Sequence, residues 1–152
     1  MKALLILLLV TFSGLFVTNA QVDLHELTDY KLLVKNCVME TSITPMDEKV
    51  AVIIVVLNRV DSAKYPNTIK GVVLQRKQFS WTNNYTDTLI TYAQVQECEK
   101  AVSRAYRSKR HPYLHYYASR GPNGIQTPKW AFHAVKSADF KYHTFVKLKG
   151  GI

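Results

Sequence analysis

The stretch CVMETSITPMDEKVAVIIVV, Cys37 to Val56, sets one carboxylate, Glu40, between an apolar-periodic run and a helix-start signal. Apolar surroundings disfavour the charged form of a glutamate and raise its pKa, the condition for a general acid near neutral pH. Elsewhere the chain carries side chains of the kind that hold sugars. Phe79, Ser80, Trp81, Tyr117 and Trp130 offer ring faces for stacking and polar atoms for hydrogen bonds. Together these residue types point to glycan cleavage. Composition alone favours the plainer reading, a solvated glutamate at a helix end and a set of core aromatics.

Other chemistries have weaker signals. His111 and His115 stand four apart, a spacing that shares one face of a helix or a strand, but Pro112 interrupts the helix. Without an HExxH pattern or a third ligand at a recognisable spacing, no metal is expected. There is no GxSxG, no catalytic signature around Cys37 or Cys98, and no phosphate-binding glycine pattern, so no cofactor is expected either.

The elements that must position Glu40 follow from periodicity. From Leu24 to Val38, apolar residues recur at Leu27, Tyr30, Val34, Cys37 and Val38, the stripe of a half-buried helix with Glu40 at its end. TPMD then reads as a new helix start, with Thr44 as the cap, Pro45 in the first helical position and Asp47 at the positive end of the dipole. VAVIIVVL is apolar all round and by periodicity alone fits a buried strand as well; the start signal and the length from Pro45 to about Ser62 favour a central helix. YPNTIKGVVLQ suggests a turn and short helix, FSWTNNYTDT a loop, and Ala93 to Arg107 an amphipathic helix. HPYLHYYAS and KYHTFVKL read as strands of a small sheet, and GPNGIQTPKW as a loop with Trp130 at its far end. The expected fold is α+β, mostly helical, in one domain.

At 152 residues and 47% hydrophobic composition, the chain can bury a core of ordinary domain size. Residues 1–20, MKALLILLLVTFSGLFVTNA, carry a basic Lys2, an apolar run and a small residue before Gln21, as an export signal does. A retained anchor is the alternative, although Ala3 to Val17 gives 15 residues where a span needs ~20. Residues 21–152 are then the single mature domain, whose membrane contact would come only through the N-terminal segment. Removal of the signal takes only Lys2, so the charge falls from +9 to +8. A basic exported chain seeks an anionic partner outside the cytoplasm, which argues against nucleic acid. Export also permits a Cys37–Cys98 bridge, with two buried free thiols as the other reading.

The order of motifs adds a resemblance. Glu40, TPMDEKVAV, LNRV at Leu57 to Val60, YPNTIKGVV at Tyr65 to Val73, QFSW at Gln78 to Trp81, a tyrosine-rich strand, Trp130 and HTF at His143 to Phe145 together resemble the SleB-like cell wall hydrolases, the family of the spore-cortex-lytic enzymes. The likeness runs from about Lys35 to Phe145. It implies a lysozyme-like, mainly helical domain with a small antiparallel sheet that cleaves peptidoglycan glycan strands as a monomer. Glu40 falls at the position of that family's catalytic acid, and His143 joins the substrate-binding candidates. Two departures stand out: Ile43 and Thr44 replace a Gly-Glu pair, and Glu48 replaces a glycine. The resemblance further implies a lytic transglycosylase, in which one glutamate acts as acid and then base. The alternatives are a hydrolytic muramidase or glucosaminidase, with Asp87 holding a water, and a non-catalytic exported module that binds wall polymer. A short chain of this kind would suit a phage lysis protein, an endolysin.

Overall fold

The computed structural model describes residues 23–83, 89–119 and 127–149. After a 3₁₀ turn at Leu24–Glu26 come α1 (Asp29–Thr41), α2 (Met46–Val60), α3 (Ile69–Val73), α4 (Ser80–Asn83) and α5 (Tyr92–Arg107), then β1 (His115–Ala118), a second 3₁₀ turn (Lys129–His133), β2 (Ala134–Asp139) and β3 (His143–Leu148). The fold is mostly helical with one small antiparallel sheet, as the sequence suggested.

Helix α1 starts where the Thr28 hydroxyl accepts from Lys31 N, and buries Leu32, Leu33, Val34, Cys37 and Val38. Helix α2 is buried from Ala51 to Leu57, which explains its unbroken apolar run and makes it the central helix. Its start differs from expectation. Pro45 is the N-cap residue and Thr44 caps nothing there, because its hydroxyl turns back to donate to the Thr41 carbonyl at 3.3 Å. Helix α5 opens on a reciprocal capping box between Thr91 and Gln94. A disulfide joins Cys37 of α1 to Cys98 of α5, with Cα atoms 5.8 Å apart, so the bridged reading holds.

In the sheet, β3 is central and both neighbours pair antiparallel to it, in the order β1-β3-β2. Tyr116 pairs with Phe145 and Ala118 with His143, so these four side chains share one face. Phe145 on that face is fully buried against Ala51, Val52 and Val55 of α2. Strand β2 was not anticipated, and FSWTNNYTDT proves to be in part the short helix α4. No helix among the described residues is long and apolar enough to cross a membrane. The export segment and Asp87 lie outside the described residues.

Candidate active site

Glu40 occupies the last turn of α1, and that helix end is tied down from three directions. The Thr41 hydroxyl donates to the Cys37 carbonyl. The buried Lys49 ammonium of α2 donates to the Thr41 carbonyl and lies 3.7 Å from Glu97 of α5, so a cation meets the negative end of the α1 dipole. Below, Trp81 Nε1 donates to the Asn36 side chain at 2.9 Å, joining α4 to α1.

The opposite wall is held by the LNRV segment. Asn58 Nδ2 donates to the carbonyls of His111 at 2.6 Å and Tyr113 at 3.0 Å. Arg59 Nε donates to the Leu114 carbonyl at 2.8 Å. These bonds fix the chain entering β1, and two residues further on the Tyr116 hydroxyl donates to Glu40 Oε2 at 2.8 Å. Between the walls lies a cleft of about 400 Å³, lined by Glu40, Arg59, Tyr116, Tyr117 and His143 together with Lys77, Gln78, Ser80 and Asn83. Lys77 has φ 64°, in the left-handed region that non-glycine residues seldom adopt, at the turn that brings Gln78 and Ser80 to the rim.

Burial raises the Glu40 pKa above its ordinary value; the Tyr116 hydrogen bond, the charge that His143 carries when protonated and the charge of Arg59 oppose this without cancelling it. Burial also lowers the Arg59 pKa, against the pull of Tyr65, Tyr116 and Glu40. The Arg59 guanidinium lies over the rings of Tyr65 and Phe79, 5.3 and 5.5 Å from their centroids. Tyr116 is pushed well above the usual tyrosine value by burial and by Glu40, so its hydroxyl stays a donor. Among the described lining residues Glu40 is the sole carboxylate.

The expected sugar-binding residues divide. Ser80, Tyr117 and His143 line the cleft. Trp130, 40% exposed, packs edge-on to Tyr117 at 5.8 Å and so extends that wall. Phe79 and Trp81 are corrected: both are buried in the core, Phe79 under Arg59 and Trp81 against α1, where neither can present a face to a sugar. His111 uses both ring nitrogens on backbone groups, accepting from Tyr113 N and donating to the Ala51 carbonyl. His115 sits between Tyr65 and Trp130. Sequence reasoning missed Tyr116 and Arg59. Arg59 lay within a quoted motif, but only the register of β1 on β3 shows that Tyr116, rather than Tyr117, turns toward Glu40.

A half-buried carboxylic acid with a raised pKa, a hydroxyl donor on it and an open groove beside it make this cleft the candidate site for acid catalysis on a polymer. The chain belongs to the cell wall hydrolase family, whose match covers residues 44–146, and it is a peptidoglycan-cleaving enzyme. Two solved structures are similar. The catalytic domain of the Bacillus cereus SleB protein is 27% identical, with a TM-score of 0.62 over 78% of this chain and 89% of that one. The catalytic domain of the germination-specific lytic transglycosylase SleB from Bacillus anthracis is 26% identical, with a TM-score of 0.61 over 86% and 100%. No curated protein matches the sequence. The family match begins at Thr44, so Glu40 lies just outside it.

Proposed function

We propose that the chain is an exported lytic transglycosylase that cuts peptidoglycan glycan strands with Glu40 as its single acid and base. The observation that carries this reading is the placement of Glu40: a half-buried carboxyl of raised pKa, the sole carboxylate among the described residues lining the cleft. Protonated Glu40 gives its proton to the glycosidic oxygen, and the bond to C1 breaks through an oxocarbenium-like transition state. The resulting carboxylate, steadied by the Tyr116 hydroxyl, takes the proton of the muramoyl C6 hydroxyl as that oxygen closes on C1. The product is a 1,6-anhydromuramoyl end, and no water is consumed. The similarity to a SleB structure described as a lytic transglycosylase supports the same reaction. Residues 1–20 serve as the export signal, and the mature domain acts as a monomer on the wall.

The test is Glu40→Gln, which preserves shape and hydrogen bonding but has no proton to transfer. Release of muropeptides from sacculi should fall by ~10²–10⁴-fold while folding and wall binding persist. Cleavage near the original rate by the variant would remove Glu40 from its role. Mass analysis of the products separates the chemistries, since hydrolysis adds one water that the anhydro end lacks. Reducing ends alone would replace the transglycosylase with a hydrolase, and binding without release would leave only a wall-binding module.

A further inference from the structure

Glu48 is fully buried in the first turn of α2 and does not line the cleft, yet it holds a residue that does. Its Oε1 lies 2.7 Å from His143 Nδ1 and accepts from the Tyr142 backbone N–H at 3.0 Å; its Oε2 is buried without a partner among the described residues. Oε1 already accepts the Tyr142 N–H, and its second lone pair faces His143 Nδ1. The arrangement is that of one carboxyl oxygen accepting two N–H bonds. His143 Nδ1 is then the donor. The other ring nitrogen, Nε2, takes part in no hydrogen bond among the described residues, and the His143 ring meets Tyr116 edge-on at 5.3 Å. Tyr116 in turn donates to Glu40.

We propose that Glu48 is a positioning residue for the cleft: in neutral His143 it keeps the proton on Nδ1, so that Nε2 presents a lone pair to a glycan hydroxyl next to Glu40. This rests on the glycan-cleaving reading above. The tautomer of a histidine is set by the bond its other nitrogen makes, and a histidine held this way both keeps its orientation and acts as an acceptor of known direction. Released from Glu48, the ring can turn or move its proton to Nε2, which converts the acceptor into a donor. A sugar hydroxyl that gives its hydrogen to His143 would then lose its partner. Because both bonds to Glu48 converge on Oε1, a single amide oxygen can replace it. That separates orientation from charge.

The test pairs Glu48→Ala with Glu48→Gln and reads two things. In ¹⁵N-resolved NMR of histidine-labelled protein, neutral His143 should carry its proton on Nδ1 in the wild type and in Glu48→Gln, and shift toward Nε2–H in Glu48→Ala. For cleavage of soluble glycan fragments, kcat/KM should fall by ~10–100-fold in Glu48→Ala, the range seen when a partner that orients a site histidine is lost, and recover in Glu48→Gln. A wild-type His143 protonated on Nε2 when neutral would overturn the proposal, as would an Ala variant of full activity or a Gln variant as poor as Ala. Should Glu48→Ala fold poorly, the wild-type and Gln spectra still decide. The NMR result does not depend on turnover, so it stands apart from any failure of Glu40→Gln to abolish cleavage.

Discussion

Tyr116 sets how strongly Glu40 holds its proton. Burial raises the acid's pKa, and a hydroxyl donated to Oε2 favours the charged form and lowers it. In the proposed reaction both influences serve: its first half needs a proton on Glu40, and its second needs a stable carboxylate. A general acid is active while protonated, so the rate should decline as pH rises through the Glu40 pKa. Tyr116→Phe removes the group that stabilises the anion, leaving burial less opposed. The alkaline limb of the pH–rate profile should therefore move to higher pH, with a lower maximum because the second step loses its support. A pH–kcat/KM profile on soluble glycan checks this, and a limb that stays in place would show that the hydroxyl does not govern the acid.

Among the elements, the disulfide fastens the helix that ends in Glu40 to α5. The bridge spans a separation of 61 residues, for which the chain-entropy account gives up to about 4 kcal/mol of stabilisation. Reduction, or replacement of Cys37 and Cys98 by alanine, should lower the denaturant midpoint and reduce cleavage with it; an unchanged midpoint would show that packing of α1 on α5 suffices alone. The helices α1, α2 and α5 were legible because apolar periodicity and run length are local. Strand β2 was not. Its sequence AVKSAD is polar at Lys136, Ser137 and Asp139, lies at a sheet edge, and becomes a strand through pairing with β3 across a bulge between Ala134 and Lys136. In the candidate site, Glu40 could be singled out from its sequence neighbours, whereas the residues that support it could not. Phe79 and Trp81 have the residue types of sugar platforms, but the same types fill cores, and only packing decides. Glu48 stood out only as a replacement for a glycine of the similar family, while its partners Tyr142 and His143 stand 94 and 95 residues away.

For the molecule as a whole, charge should guide the approach to the wall. The chain carries +9, and the RSKRH run, Arg107 to His111, follows directly on the α5 C-terminus. Arg110 is engaged with Asp61, whereas Arg104, Arg107 and Lys109 are exposed along a depression of about 540 Å³ that shares no lining residue with the catalytic cleft. Basic residues at a helix end also suit its dipole, a role that needs no partner. What distinguishes the two roles is reach: an exposed charge acts over ~8 Å at physiological ionic strength and less as salt is added, while cleavage chemistry within the buried site is screened much less. Raising salt should thus weaken binding to intact sacculi more than it slows cleavage of short soluble fragments. Reversing Arg104, Arg107 and Lys109 to glutamate should weaken low-salt binding and flatten its salt dependence, with turnover of the fragments unchanged. Sedimentation of the protein with sacculi across a salt series measures this directly, and binding that ignores both salt and the substitutions would mean that the wall is gripped through the cleft alone.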